Sequence, residues 1–344
     1  MYKLITSCSA NEVWVDHGAL YLRDYKRNSA VFLHSLDKQS EQVLPFLHSE
    51  LSWWIYLRQG LWFVHYDENS EYATTVNVFS IDGELKQTIT NVNDSFYTAP
   101  AGRWLYLINE RQLRYDLSTH ECEDLGEFPL KGVFFHEGSY RDLHFFTCER
   151  QSQLVAMRDK DGQGLEEAYR LDFAESGRAY SLWRNGVAPG EIYFINFYGS
   201  DLWVTTQKHL HRIDVATGKV LERQDETLPK MFIHGTRGYS LFSSYYTVFD
   251  FKAGRMLCDE RRDRFVYEGK EYSSEYKSLL LHEGILYVSV RVSDSFLLTA
   301  FDVQTEEFIW QDHWNGWDID SVHIVGDRMI ALSDNNIQSY QRAD

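Results

Sequence analysis

Two short sequence markers recur in the same order along this chain of 344 residues. The first marker is a glycine that follows one or two bulky or polar residues and precedes an apolar, strand-like run. The seven intervals between Gly18 and Gly326 average 44 residues, which indicates a repeated unit. The eight copies are centred on Gly18, Gly60, Gly102, Gly138, Gly199, Gly235, Gly284 and Gly326.

The second marker is an apolar strand that usually ends in Asp before a turn, 14 to 22 residues after each glycine. An Asp in this place can accept hydrogen bonds from backbone N–H groups two or three residues ahead and so fix the turn. In the copy "HRIDVATGK", Gly218 is expected to adopt the positive φ that such a turn often needs. The last copy has Gln341 in the Asp place.

A period of about 44 residues fits a four-stranded propeller blade. Aromatic residues make up 15% of the chain and only 5 residues are proline, which favours pleated sheet. The sequence therefore predicts an all-β fold, with residues 1–344 forming a single β-propeller domain of eight four-stranded blades. The 61-residue interval between Gly138 and Gly199 is the irregular one. It predicts an insertion within residues 165–198 and leaves seven blades as an alternative.

The two ends of the chain predict how the ring closes. The last unit has candidate strands near residues 318–325, 328–332 and 337–340, but no fourth strand before residue 344. The first unit begins at residues 12–16, which leaves the strand-like segment 2–7 unused. We expect residues 1–8 to supply the fourth strand of the last blade, because this pairing removes two exposed sheet edges.

The net charge of the chain disfavours some classes of binding partner and favours others. With 34 Lys and Arg against 51 Asp and Glu, the formal net charge is −17. Such a chain repels nucleic acid and anionic lipid and attracts a basic partner. No apolar stretch is long enough for a membrane helix, and the run before Cys8 in "ITSC" is too short for a secretion signal. The four cysteines are far apart and form no Cys-x-x-Cys, so a cytoplasmic location is expected.

Two segments carry a family resemblance. "RIDVATGKVLERQ" and "AFDVQTEEFIWQD" resemble the repeat of quinoprotein-type (PQQ-like) β-propellers, through Asp214, Thr217 and Gly218 in the first segment. Asp302, Thr305 and Trp310 match in the second. In that family the enzymes hold a quinone in the central channel and use adjacent cysteines and a calcium site. This chain has no adjacent cysteines, so the resemblance implies a non-catalytic member and no cofactor.

Metal and catalytic patterns are weak. His209 and His211 fall on one face of a predicted strand, but no third ligand is identifiable. The segment "DKDGQG" from Asp159 resembles a calcium loop, although Arg170 stands where a bidentate Glu is needed. No hydrolase, zinc-protease, P-loop or dinucleotide motif is present. We therefore expect a protein that is not an enzyme and binds no metal.

Acidic and aromatic residues are predicted to gather in the connections between blades, on one face of the propeller. Exposed Trp side chains within a set of carboxylates would suit a basic protein surface. An acidic surface without a focus is the alternative. The predicted partner-binding residues are Asp67, Glu68, Glu71, Asp225, Glu226, Asp259, Glu260, Asp312, Trp314, Trp317, Asp318 and Asp320.

These features predict a binding protein that acts as a monomer or in a 1:1 complex. Its acidic face would cover a basic partner such as a toxin or nuclease, as an inhibitor or an immunity (antitoxin) protein does. Two other functions stay open. One is an enzyme or small-ligand binder that holds a sugar or quinone in the central channel. The other is an assembly scaffold, which would require lipidation of Cys8.

Overall fold

The computed structural model describes most of the chain, and every regular element in the described residues is a strand. No helix that could cross a membrane is found in this part. The described residues are 2–8, 12–16, 19–24, 30–35, 40–44, 52–67, 74–90, 92, 97–108, 110–132, 134–148, 152–159, 163–173, 192–267, 269–314, 316, 318–333 and 336–342.

The strands follow one another with short connections. In the first half of the chain they are β1 (Tyr2–Cys8), β2 (Glu12–Asp16), β3 (Ala19–Asp24), β4 (Ala30–Ser35), β5 (Ser40–Val43), β6 (Ser52–Arg58), β7 (Leu61–Asp67), β8 (Thr74–Ser80), β9 (Leu85–Thr90), β10 (Tyr97–Ala101), β11 (Trp104–Ile108), β12 (Arg111–Asp116), β13 (Cys122–Glu127), β14 (Phe134–Tyr140), β15 (Leu143–Cys148), β16 (Gln153–Asp159) and β17 (Leu165–Asp172). In the second half they are β18 (Ile192–Tyr198), β19 (Asp201–Thr206), β20 (Leu210–Asp214), β21 (Val220–Gln224), β22 (Phe232–His234), β23 (Arg237–Ser243), β24 (Tyr245–Asp250), β25 (Arg255–Arg261), β26 (Arg264–Tyr267), β27 (Lys270–His282), β28 (Ile285–Val292), β29 (Ser295–Asp302), β30 (Glu307–Trp314), β31 (Ser321–Val325), β32 (Arg328–Ser333) and β33 (Asn336–Arg342).

The chain divides into two compact units, and the second contains Ser52–Tyr56 and Leu61–Lys230. Its described strands form four four-stranded sheets, β6–β9, β10–β13, β14–β17 and β18–β21, each in sequence order. The four-stranded repeat predicted from the two markers is confirmed here. The predicted insertion falls between β17 and β18, and residues 174–191 of it lie outside the described residues.

The first unit contains Met1–Leu51, Leu57–Gly60 and Met231–Asp344. One of its sheets has the order β1-β33-β32-β31, with Tyr2 opposite Arg342 and Cys8 opposite Ile337. The predicted pairing of the N-terminal strand with the last unit is therefore confirmed. A second sheet has the order β2-β3-β4-β5.

The remaining strands of the first unit form one nine-stranded sheet. Its order is β25-β24-β23-β27-β28-β29-β30, with β22 paired to β23 and β26 paired to β27. Strands β23 and β27 are joined through only two residue pairs, Phe242 with Lys277 and Ser243 with Tyr276. Because of this pairing, the described strands do not form eight separate four-stranded sheets.

The glycine marker lies in the turn between the first two strands of a sheet. Six of the glycines, Gly60, Gly102, Gly199, Gly235, Gly284 and Gly326, have φ between +59° and +80°, a region in which only glycine is unstrained. Gly18 lies outside the described residues.

Gly138 is an exception to this pattern. It lies inside β14 at a β-bulge, where the register shifts between His136 and Gly138. The turn that follows is made by Arg141, which has φ +55°, and Asp142. The marker was misplaced because the sequence around this bulge has the same glycine-then-apolar pattern as a turn.

The Asp marker fixes the turn between the third and fourth strands, as predicted. Asp250 accepts hydrogen bonds from the N–H groups of Lys252 and Ala253 at 3.0 and 2.9 Å. Asp116 accepts from Ser118 and Thr119, and the hydrogen bonds from Ser118 lower the pKa of its carboxyl to about 2. The same arrangement recurs at Asp214 and Asp302, and Gly218 has the predicted positive φ of 71°.

The two markers are also bonded to each other. At four places in three sheets, the residue after the marker Asp donates its N–H to a carbonyl in the glycine turn at 2.9 to 3.1 Å. This hydrogen bond holds two turns of one sheet together at the same end. The four pairs are Leu117 with Arg103, Val215 with Ser200, Phe251 with Thr236, and Val303 with Gly284.

The core lies in layers between consecutive sheets. In the second unit, Tyr106 and Phe128 pack with Phe146 and Val155 of the sheet that follows, and all four are fully buried. The layers on either side are built in the same way. Large aromatic side chains fill the gap between twisted sheets, which explains the high aromatic content of the chain.

The outermost strand of most described sheets carries a β-bulge within its first four residues. The extra residue breaks the regular ladder and increases the local twist, and both effects oppose pairing with a strand of another molecule. These strands also carry many of the exposed carboxylates. The bulged residues are Lys86, Ala168, Leu221, Leu257 and Ile309.

The Asp marker gives a first testable prediction. Replacing Asp250 by Ala removes the acceptor of two backbone N–H groups, so the free energy of unfolding should fall by about 1–2 kcal/mol. Urea denaturation followed by tryptophan fluorescence measures this. Asp250→Asn keeps an acceptor oxygen and should lose less than half as much. Equal losses would contradict the role given to the acceptor.

The closing strand gives a second prediction. Deleting Tyr2–Cys8 exposes the edge of β33 and removes the Tyr2 carbonyl that accepts a hydrogen bond from Trp310 Nε1 at 3.0 Å. We expect a lower denaturation midpoint and concentration-dependent association, measured by urea titration and analytical ultracentrifugation. A synthetic peptide of residues 1–11 should restore the midpoint when added. A deletion variant as stable as the intact chain would contradict the prediction.

Candidate functional site

The predicted acidic residues of the second unit lie after two of its strands. Asp67 ends β7, and Glu68 and Glu71 lie outside the described residues. Asp225 and Glu226 follow β21 and are exposed. The Asp225 carboxylate lies 3.1 Å from His209 Nδ1. The carboxylate at Asp225 is thus available at the surface, with the imidazole of His209 beside it.

Asp259 and Glu260 were predicted to lie in a connection, and this is wrong. Both belong to β25, where they pair with Thr247 and Tyr246 of the neighbouring strand. Asp259 accepts a hydrogen bond from the Thr247 hydroxyl at 3.1 Å, and Glu260 lies 3.3 Å from Arg262. The strand runs further than predicted because its ladder with β24 continues to the pair of Arg261 and Tyr245.

Trp314 was predicted to be an exposed anchor in a loop, and this is also wrong. It is the last residue of β30, and only 1% of it is exposed. It packs in the core with Leu298 and Met329 of neighbouring strands. Trp317 lies outside the described residues, and Asp312 is a half-buried residue of β30. A Trp two residues before a glycine looked like a loop residue, but β30 continues to it.

Asp318 and Asp320, which the sequence placed in a candidate strand near residues 318–325, lie just before β31, and both face Lys277 of β27. The Lys277 ammonium is 2.9 Å from Asp318 Oδ2 and 3.6 Å from Asp320 Oδ1. Asp318 Oδ1 also accepts hydrogen bonds from the Ser289 hydroxyl and the Ile319 N–H. The carboxylate of Asp318 is therefore fixed in place, while about half of its side chain stays exposed.

Lys277 and Asp318 line a groove of about 320 Å³, which we call the Lys277 groove, together with Glu275 and Arg291. Its other walls include Phe242 at the end of β23 and Phe296 of β29. Phe242 is 47% exposed, and it pairs across the hairpin with Tyr245, which is 46% exposed. The groove thus combines the fixed carboxylate of Asp318 with the exposed Phe242, and Asp320 and Tyr245 lie beside these two residues.

The pairing of β23 with β27 shapes this groove. The Ser278 hydroxyl donates to the Leu241 carbonyl at 2.9 Å and accepts from the Leu241 N–H at 2.7 Å. These two hydrogen bonds hold β23 and β27 together where their pairing begins. Phe242 and Lys277, the next residues, are placed opposite each other on the rim.

Sequence reasoning missed Phe242, Tyr245 and Lys277. The signal available was "LFSSYY", in which a tight turn is flanked by aromatic residues on both sides. In a four-stranded meander, this second turn lies at the same end as the connection to the next sheet. Aromatic residues beside it therefore share an end with Asp318 and Asp320.

A second polar cluster lies at the bulge of β14. The Ser139 hydroxyl is 2.8 Å from His144 Nδ1 and 3.1 Å from His136 Nε2. A hydroxyl has one proton, so one imidazole accepts from it and the other donates to it. Burial lowers the pKa of His136 to about 4 and that of His144 to about 4, so both are neutral at pH 7.

The two weak metal patterns are accounted for by protein contacts. The His211 ring packs on Phe173 at 4.8 Å between centroids. Asp159 accepts a hydrogen bond from the Gly164 N–H at 3.0 Å and lies 3.4 Å from Arg114. Among the described residues, no group of three or more His, Cys, Asp or Glu could hold a metal ion.

Comparison with known proteins identifies the fold but no family. No family model and no curated protein matches the chain. The solved structures similar to it include the computationally designed protein Ika8, with a TM-score of 0.65, and the WD40 domain of SCAP from fission yeast, with a TM-score of 0.56. Each is 9% identical, and each alignment covers 99% of this chain and 98% of the other. The fold is therefore a β-propeller of small antiparallel sheets, and the resemblance to quinoprotein-type repeats stays a prediction.

The histidine cluster predicts a loss of stability in mild acid. The unfolded chain takes up protons near pH 6.5, whereas folded His136 and His144 do so only near pH 4. The free energy of unfolding should therefore fall by about 2–4 kcal/mol from pH 7 to pH 5. Urea denaturation at a series of pH values measures this. His144→Gln should flatten the dependence, whereas His313→Gln, an exposed control, should not. An unchanged slope in His144→Gln would contradict the prediction.

Proposed function

We propose that this propeller is a non-enzymatic binding protein that holds a basic protein partner at the Lys277 groove. The observation that carries the proposal is the exposed pair Phe242 and Tyr245, at the same end of the sheet as Asp318 and Asp320. Large aromatic side chains surrounded by polar groups supply much of the binding energy in protein interfaces. The nearby carboxylates would select Lys or Arg on the partner.

The charge of the whole chain supports the same partner chemistry. A net charge of −17 attracts a basic protein over distance and speeds its association. In the free protein, the Lys277 ammonium is paired with the carboxylates of Asp318 and Asp320. The Lys277 side chain is 40% exposed, so an incoming guanidinium can replace its ammonium at little cost.

We further propose that the partner is a toxin or nuclease and that the chain acts as its inhibitor or immunity protein. An inhibitor must reach its target before the substrate does, and electrostatic steering supplies that speed. Such a target is basic because its own substrate is anionic.

We also propose that the propeller has eight blades. The nine-stranded sheet contains two complete meanders, β22–β25 and β27–β30, and only two residue pairs join them. Counting these meanders separately gives eight four-stranded units along the chain, in agreement with the eight glycine markers. The β26 hairpin is then an addition to the start of β27.

The proposed function predicts a salt-sensitive complex that depends on named groove residues. The intact chain, used to capture proteins from its native host, should enrich a basic protein identified by mass spectrometry. Asp318→Asn with Asp320→Asn should weaken that complex about tenfold and reduce its salt dependence. Phe242→Ser with Tyr245→Ser should weaken it by at least as much.

A matched control removes the same charge elsewhere. Glu166→Gln with Asp172→Asn lies on the outer strand β17 and should leave the affinity unchanged, as measured by biolayer interferometry with the purified partner. Enrichment of no basic protein would contradict the proposed function. Equal loss in the control would show that only the net charge matters, which would contradict the groove as the binding site.

A further inference from the structure

A second groove in the first unit is lined by more positive than negative side chains. It has a volume of about 740 Å³ and lies between the β26 hairpin and β30. Arg261, Arg262 and Arg264 line it, with one carboxylate from Asp263. Three guanidinium groups against one carboxylate give this lining a positive excess, in a chain of net charge −17. We call this the Arg264 groove.

Two of these arginines are held only by exposed ion pairs. Arg261 lies 2.9 Å from Asp263, and the two side chains are 68% and 41% exposed. Arg264 lies 3.1 Å from Glu271, with side chains 71% and 55% exposed. Exposed pairs of this kind contribute little to stability. Both guanidinium groups can therefore exchange their partner for a carboxylate on a ligand.

The third arginine is fixed in place. Arg262 lies over the Tyr246 ring at 4.5 Å from its centroid, and it is 3.3 Å from Glu260 and 3.7 Å from Glu306. Its side chain is 24% exposed. Arg262 therefore gives the groove a positive charge at a fixed position.

The walls of the groove are apolar. Val266 of β26 is 62% exposed and Ile309 of β30 is 46% exposed. Between them, the Phe265 and Phe308 rings pack edge to face at 4.9 Å. Small inorganic anions would leave these side chains uncovered, so the fitting ligand carries apolar groups as well as negative charges.

We propose that the Arg264 groove binds an acidic peptide segment of a partner protein, in which apolar side chains alternate with Glu or Asp. In an extended segment, alternate side chains point to opposite sides. One side would meet the guanidinium groups and the other would cover Val266 and Ile309. Because Ile309 is a bulged residue, side chains rather than strand addition carry the recognition. The site is independent of the Lys277 groove and of the basic partner proposed there.

The test uses the intact chain and synthetic peptides. A fluorescein-labelled decapeptide that alternates Glu with Val and Leu should bind, as measured by fluorescence anisotropy, and the same peptide with Lys in place of Glu should not. Arg261→Gln with Arg264→Gln should weaken binding about tenfold. Val266→Ser with Ile309→Ser should weaken it by a similar factor. Arg111→Gln with Arg170→Gln removes the same charge from β12 and β17 of the second unit and should change nothing.

The outcomes separate this proposal from the proposed function. Asp318→Asn with Asp320→Asn should leave peptide binding intact, even if it abolishes binding of a basic partner. Absence of peptide binding, equal binding of the Lys peptide, or full binding by the Arg261→Gln, Arg264→Gln variant would overturn the proposal. Analytical ultracentrifugation tests for self-association. If the intact chain self-associates and the Arg261→Gln, Arg264→Gln variant does not, the groove binds a second copy of the chain, and the proposal is overturned.

Discussion

The hydrogen bond between the two turns of a sheet is the constraint on which the rest of the structure depends. Where Phe251 donates to the Thr236 carbonyl, the turn fixed by Asp250 is tied to the turn made by Gly235. Both turns need particular residues, so this end of each sheet changes little from copy to copy. The opposite end has related hydrogen bonds, such as that from the Arg262 N–H to the Ser244 carbonyl at 2.7 Å, but its turns do not repeat the glycine and Asp markers.

This difference between the two ends of a sheet explains where the candidate sites lie. The exposed Phe242 and Tyr245 flank the second turn of a meander, and Asp318 lies in the connection between sheets. Both features lie at the end of the sheet that does not carry the glycine and Asp markers. The Arg264 groove arises in the same way, because the β26 hairpin is inserted in the connection between two meanders. One unit thus presents two grooves on either side of Tyr276, one lined by charges of both signs and one lined mainly by arginine.

The sequence predicted the fold better than the candidate site. Glycine at positive φ and Asp at a turn are local requirements, so the strands around Gly235 and the pairing of residues 2–7 with β33 could be placed from residue types alone. The site depends on how far strands run and which strands pair. Trp314 and Glu260 were misplaced because β30 and β25 continue beyond the predicted ends. The pairing of β23 with β27 joins residues 35 positions apart in sequence, and no local pattern announces it.

The register between β1 and β33 has a mechanical consequence. Tyr2 lies opposite Arg342, and the pairing runs inward from there to Cys8 and Ile337. Force applied at Tyr2 and Arg342 breaks the hydrogen-bonded pairs one after another, so β1 separates from β33 at low force. Pulling along the strands would instead load all the pairs at once, and the ladder would resist a higher force. An instrument that pulled at Tyr2 and at a point inside β33 beyond Ile337 would meet a much stiffer molecule.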